Sequence, residues 1–392
     1  MTLINISEPE QPLLRGFALF RLGFRPFFLL GSICGLLVLG YFIMLISGMA
    51  THLPSRWDMV EWHRHEMLFG FVGAIVAGFL LTAVPNWTGL PTVKGKSLAA
   101  LTGIWCAGRV CVFISTSLPE TLVMVVDASF FVGCALAIAP ALIRSNNKRN
   151  YGFIVLLLLF ALASALTHSD YADAGIRLGL GVVTIMMTLI GGRVIPFFTE
   201  RRLNISITRT ARIEKLTIVC TLLAVLCNVI IPDAPWLYVL FIAAGVVNLW
   251  RFSTWQTVKT LGIPLLWVLH VGYIWLIFSF FAKAAVLMRL SVPSAFATHS
   301  LTAGAMGILI LGMIARVSLG HSGRPLEIGK AMHVAFVAIN LAAFLRVFSW
   351  CLPMDTMTGF QLAALCWVMA YGIFVMIYTP ILLRPRLDGK DG

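Results

Sequence analysis

Between residues 61 and 89 the chain reads EWHRHEMLFGFVGAIVAGFLLTAVPNWTG, and this stretch holds its most chemically suggestive side chains. His63 and His65 stand at the threshold of an apolar helix that carries Gly70, Gly73 and Gly78 and closes near Pro85. Neutral imidazole is the commonest protein ligand for transition metals. Small residues on a membrane helix let a neighbouring backbone, or a flat cofactor, come close. The competing reading of each histidine is a hydrogen bond to a headgroup or loop at the membrane interface. The two are separated by one residue, so on a regular helix they point to nearly opposite faces.

A second stretch weighs on that choice. From His299 the chain reads HSLTAGAMGILILGMIARVSLGHSG. With His65 set over His299, an offset of 299 − 65 = 234, Gly70 meets Gly304, Gly73 meets Gly307, Gly78 meets Gly312 and Gly89 meets Gly323. A weaker copy at an offset of 316 − 193 = 123 lays Arg193 over Arg316 and Gly181 over Gly304, with Ile176 in the histidine's place. Glycine is common in membrane helices, so coincidence is the alternative to a repeat. Under a repeat, His65 and His299 take equivalent places on two helices. Two imidazoles from different helices suit axial haem ligation or a copper site.

The elements that position these residues follow from composition. Of 392 residues 59% are hydrophobic and 11% charged, against about 25% charged in soluble domains. No hydrophilic run is long enough for a separate soluble domain, so residues 1–392 read as one integral membrane domain, all-α and polytopic. Spans of about 20 apolar residues cross a bilayer. Twelve are expected, near 26–49, 66–86, 97–116, 120–143, 151–167, 174–197, 214–231, 235–250, 264–282, 296–319, 331–350 and 358–383. The fifth and eighth are the shortest. The repeated helices are the second, sixth and tenth, four apart, which divides the chain into three four-helix units.

Lys and Arg set the orientation. With the N-terminus inside, 20 of them fall in inner segments, from Arg15 to Lys390, and five in outer ones: Arg56, Arg64, Arg177, Lys283 and Arg289. Both termini are expected to be cytoplasmic. The net charge of +13 then needs no nucleic-acid partner. The eight cysteines, Cys34, Cys106, Cys111, Cys134, Cys220, Cys227, Cys351 and Cys366, form no CxxC pair and lie almost all in apolar runs. They read as small buried hydrophobes. No signal-peptide cleavage pattern is seen.

This topology puts His52, His63, His65, His168 and His299 at the outer side and His321 and His333 at the inner side. His270 and Tyr273 share a face within the ninth helix; an intramembrane histidine is a functional candidate by default, as a metal ligand or proton relay, against a structural hydrogen bond. His63 with Met59 and Met67 gives a His/Met set suited to Cu(I), against plain packing. His321, in a GHSGRP turn, is a further metal candidate. Glu66 is placed to orient a ligand imidazole. Arg346 suits haem propionates, against snorkelling. Arg109 and Asp127 lie at similar depth and are expected to pair, while Arg193 and Arg316 are expected to snorkel. His52, His168 and His333 carry no assigned role.

The motifs WHRHEMLFGF at 62–71 and HSLTAGAMGILILGMIARVSLGHSGRPL at 299–326, with RLGFRPFF at 21–28 and LHVGYIWL at 269–276, resemble the NnrS family over most of the chain. That resemblance implies a bacterial inner-membrane protein with twelve spans, containing haem b and copper and linked to nitric oxide metabolism and protection from nitrosative stress. A more distant likeness is to the catalytic subunit of haem–copper oxidases and nitric oxide reductases, whose low-spin haem histidines lie near the outer ends of helices two and ten. His65 and His299 match in helix number and side. The match fails at helix seven, which has no histidine pair, and at helix six, which has no histidine. The expected axial pair is therefore His65 and His299, with copper elsewhere and with quinol or another external electron donor supplying a reductase reaction. Competing expectations are a transporter of copper, haem or a small solute, and a haem sensor without turnover.

Overall fold

A computed structural model describes residues 16–232 and 234–389; Arg15 and Lys390, used above for orientation, lie outside them. Among the described residues there is no strand, and twelve long helices follow one another: α1 Phe24–Ile46, α2 Met59–Thr88, α3 Lys96–Phe113, α4 Glu120–Arg144, α5 Lys148–Leu166, α6 Ala172–Leu203, α7 Ala211–Ile230, α8 Leu237–Ser253, α9 Pro264–Leu287, α10 Ser294–His321, α11 Lys330–Cys351 and α12 Thr356–Leu383. All except α8 are long and apolar enough to cross a membrane, and the chain is a multi-pass membrane protein. α8 has 17 residues, about 26 Å of helix at 1.5 Å per residue, close to the roughly 30 Å hydrocarbon core. The fifth span, expected to be short, is a full one.

Local chemistry starts and stops these helices. The Asp58 carboxylate accepts from the backbone N–H of Val60 at 2.7 Å and of Glu61 at 2.8 Å, which caps α2. Asp355 does the same for α12 through Thr358 N at 3.0 Å. Pro85 does not end α2 as expected; the helix runs on to Thr88. The carbonyl that a proline at 85 leaves without its helical donor, Leu81 O, accepts the Thr92 hydroxyl instead at 2.6 Å.

The repeat is visible in backbone geometry. α2 switches to π-helix over Glu66–Val72, directly after His65, and α10 does so over Ser300–Met306, directly after His299. The offsets are 300 − 66 = 234 and 306 − 72 = 234, the value at which the glycines coincide. α6 is α-helical throughout. π-Turns inside α-helices concentrate at functional sites.

Packing closes the three units into a ring. The last helix of each unit lies against the first of the next: α4 on α5, α8 on α9, α12 on α1. At the last junction the Arg25 guanidinium donates to Leu382 O at 2.8 Å and Arg384 O at 2.7 Å. The second helix of each unit sits deep, with 78%, 61% and 78% of its apolar window buried in α2, α6 and α10, against 22% in α7. Gly304 marks how tightly α10 meets α9: a Cβ there would lie 2.5 Å from the Trp275 ring. Arg193 donates to Asn150 Oδ1 in the first turn of α5 at 2.7 Å, and Arg316 is buried with its guanidinium 4.0 Å from the centroid of the Phe198 ring.

Candidate functional site

α2 carries two histidine sites on opposite faces. On one face, His65 is fully buried between carboxylates. Its Nε2 lies 3.0 Å from Asp127 Oδ2 of α4, and its Nδ1 lies 3.3 Å from Glu66 Oε1. His168, in the turn between α5 and α6, brings its Nε2 to 3.3 Å from the same Asp127 oxygen, which also accepts the Ser164 hydroxyl of α5. Arg109 of α3 spans the two acids, donating through Nη1 to Glu66 and through Nη2 to Asp127. Gly70 makes this possible: a Cβ there would stand 2.9 Å from Glu66 Oε2 and 3.1 Å from Arg109 Nη1. Trp57 closes the cluster, its ring 4.5 Å from that of His65 and 4.8 Å from that of His168.

Ligand atoms of His65, Asp127 and His168 all lie within 4.8 Å of one another. Two imidazoles and a carboxylate form a set that suits Cu(II) or Zn(II). The charges also favour a cation. Two carboxylates face one guanidinium, so with neutral imidazoles the cluster carries an excess negative charge. Burial pushes the His168 imidazole below its ordinary value, opposed by the hydrogen bond to Asp127, which keeps it in the neutral form a metal requires. Beside the cluster is an open polar cleft of about 590 Å³ whose walls include Asp58, Glu61, Arg64, Asp170, Asp173 and Arg177.

On the other face, the His63 ring stacks on Phe42 of α1, with centroids 4.0 Å apart and planes 20° from parallel. Its Nδ1 is buried with no hydrogen-bond partner. His299 of α10 and Arg346 of α11 are its charged or titratable neighbours: Arg346 acts on both imidazoles, and His63 on His299. The His299 Nδ1–H donates to Ala295 O at 3.0 Å, which leaves Nε2 with a free lone pair, as in metal-ligating histidines. The Arg346 guanidinium is held 4.0 Å over the Phe360 ring of α12.

The structure thus gathers His65 and Glu66 in one cluster and His63, His299 and Arg346 in the other. The expected pair, His65 with His299, is divided between them. Sequence reading placed His168 on the same side as His65 and gave it no role; the deep Arg109–Asp127 pair, which was expected and is observed, is the feature that points to it. His270 of α9 lies elsewhere, its Nε2 3.0 Å from the Thr199 hydroxyl and its Nδ1 2.9 Å from that of Thr257. Tyr273 binds Asn248 Oδ1 at 2.6 Å and the Arg251 guanidinium. His321 packs against Phe24, with ring centroids 5.8 Å apart. It lies 22 residues along α10 from His299, about 33 Å at the helical rise. Met59, the proposed copper partner of His63, is 40% exposed. All eight cysteines are free.

Comparison with known proteins agrees with the sequence motifs. The family model described as NnrS protein matches residues 18–386, nearly the whole chain, and the chain belongs to the NnrS family. That family is linked to the nitric oxide response and is generally metal-binding. No curated protein matches the chain.

Proposed function

We propose, with NnrS membership as the premise, that this chain is a haem- and copper-containing protein of the bacterial inner membrane that handles nitric oxide, with the metal sites on the two faces of α2. Haem b is assigned to His63 and His299, and copper to His65, Asp127 and His168. The observation that carries the reading is the buried His65–Asp127–His168 group, whose ligand atoms lie within 4.8 Å of one another. The haem assignment replaces His65 by His63 because His65 already faces Asp127 and Glu66, whereas His63 Nδ1 is buried without a partner. A second support is His299, whose hydrogen bond to Ala295 O fixes the tautomer a ligand needs.

When bound, the two metals supply one-electron chemistry and a coordination position for the gas. The chain's own residues hold and orient them. Glu66 and Arg109 fix the His65 ring and the Asp127 carboxylate, and Arg346 offers a guanidinium to haem carboxylates. Trp57 covers the copper ligands and excludes water. Nitric oxide is small and apolar, so it enters through the bilayer. Reduction needs electrons from outside the chain, from quinol or another donor. The charge bias places the sites at the periplasmic side.

The test is the optical spectrum and metal content of purified protein. His63→Ala and His299→Ala are expected to abolish the Soret band and leave copper. His65→Ala and His168→Ala are expected to remove copper and leave the band. A well-folded wild-type protein that is colourless and metal-free refutes the reading and favours a transporter. Haem loss in His65→Ala but not in His63→Ala restores the His65–His299 pairing.

A further inference from the structure

The two histidine sites are drawn from the helices in the same way, and the ring of three units has room for one more. The His65 cluster takes residues from α2, α3, α4, α5 and the turn before α6. The His63–His299 neighbourhood takes them from α10, α11, α12, α1 and α2. Each set runs from the second helix of one unit to the second helix of the next, or to the turn just before it. The remaining member of that series is α6 to α10. A cavity of about 220 Å³ lies there, and all five helices line it: Arg177 from α6, Asn228 from α7, Phe241 from α8, Lys283 from α9 and Thr298 from α10.

This third place carries no imidazole. The position of His65 and His299 is Ile176 in α6 by the 123-residue offset, and no histidine lines the cavity. Two cationic side chains, Arg177 and Lys283, take over instead, and they exclude a metal ion while favouring an anion. Arg177 Nε and Asn228 Oδ1 are both buried with no hydrogen-bond partner, which costs free energy unless a ligand or water meets them. Towards the floor the walls are apolar and buried, with Val225, Phe241 and Phe280. The distance along α6 from Arg177 to Thr184 is about 10 Å at the helical rise. The volume is below the roughly 300 Å³ at which drug-sized ligands begin.

We propose that this cavity binds a small carboxylate, its head on Arg177, Asn228 and Lys283 and its compact apolar body against Val225 and Phe280. A guanidinium matches a carboxylate through paired N–H donors, and rotation of the Asn228 amide turns its NH₂ to the same oxygens. A bare inorganic oxyanion satisfies the head alone and leaves the apolar floor without contact.

The proposal rests on the cavity and on neither metal assignment, so it is tested on protein stripped of metal as well as on protein as purified. Calorimetric titration of the full chain in zwitterionic-lipid nanodiscs uses butyrate, nitrite and palmitate as probes. Saturable one-to-one binding of butyrate is expected in both preparations. Arg177→Gln is expected to weaken it at least about tenfold, Arg177→Lys to restore part of the affinity, and Asn228→Leu to weaken it several-fold. A wild-type elution profile and a wild-type thermal-unfolding midpoint establish that each variant is folded. Nitrite binding as tight as butyrate overturns the role of the apolar floor. Tighter binding of palmitate assigns the cavity to a lipid chain and overturns the proposal. So does unchanged butyrate affinity in Arg177→Gln, or loss of butyrate binding in His65→Ala, which would place the carboxylate on a metal.

Discussion

Replacing Arg109 by Gln should destabilise this protein more than replacing Asp127 by Asn, although both changes break the same ion pair. The reason is the charge count at the His65 cluster. Arg109 is the cation between two buried carboxylates, Glu66 and Asp127, whose side chains are 4% and 0% exposed. Removing it leaves the two acids with only the His65 imidazole between them, and breaking a buried pair by removing one partner costs about 3–5 kcal/mol. At about 1.4 kcal/mol per decade that shifts the unfolding equilibrium by roughly two to three and a half orders of magnitude. Asp127→Asn leaves Glu66 and Arg109 paired and keeps an acceptor oxygen. It loses charge-assisted hydrogen bonds worth about 1.5–3 kcal/mol. The assay is equilibrium unfolding of metal-free protein in mixed micelles with a rising fraction of denaturing detergent, followed by tryptophan fluorescence. Zinc, which adds charge without redox chemistry, should recover part of the Arg109→Gln loss and none in Arg109→Gln/His65→Ala. An Asp127→Asn variant as unstable as Arg109→Gln would refute the charge count. Equal recovery by zinc in both Arg109 variants would refute the metal site.

Three further outcomes are expected from the same unfolding assay. Gly70→Val forces a branched side chain into atoms 2.9 and 3.1 Å from its Cβ. It should destabilise by about 1–3 kcal/mol as overpacking, whereas Gly40→Ala, with nothing within 4 Å, should change little. His270→Leu should have a modest effect, about 1–2 kcal/mol, and leave metal content unchanged, because Thr199 keeps its bond to Ile195 O at 2.9 Å and only the contacts to the ring are lost. Arg25→Met strips the α12 carboxyl end of the donors to Leu382 O and Arg384 O; it should destabilise by about 3–6 kcal/mol for two charge-assisted bonds and raise hydrogen exchange first at Leu382–Arg384.

The membrane fold was legible because its cause is compositional. Each span must carry its own backbone hydrogen bonds through hydrocarbon, so length and apolarity determine it almost alone. The repeat was legible for a related reason. Gly70 and Gly304 both stand where a neighbouring side chain leaves no room for a Cβ, and that requirement writes a glycine into the sequence. The opposite facing of His63 and His65 was legible from helical geometry, since α2 is already wound at Met59. Which partner each histidine meets was not. His65 meets residues 62 and 103 positions away in Asp127 and His168, and His299, which feels the charge of His63 electrostatically, lies 236 positions from it. Periodicity along one helix carries nothing about such distances. His168 was the hardest, because it sits in a turn whose local sequence, THSDYADA, looks like any polar connection. The hint was indirect: a buried arginine and aspartate at matching depth require a reason to be there, and Asp127 turned out to have one in two imidazoles.

The same geometry explains why α2 carries two histidines in its first two turns where α10 carries one. α10 supplies His299 to a neighbourhood shared with α2, while its opposite face turns towards the cavity that α6 to α10 enclose, where Ala297, Thr298 and Leu301 form the wall. α6 supplies neither imidazole, only Arg177, which lines both that cavity and the polar cleft beside His65. α2 therefore stands between two histidine sites, α10 between a histidine site and that cavity, and α6 between the cavity and the His65 cluster. The π-turns follow this pattern, present in α2 and α10 and absent from α6. His63 and His65 are joined through Arg64 alone, and Arg64 is anchored to Asp173 of α6 at 3.0 Å.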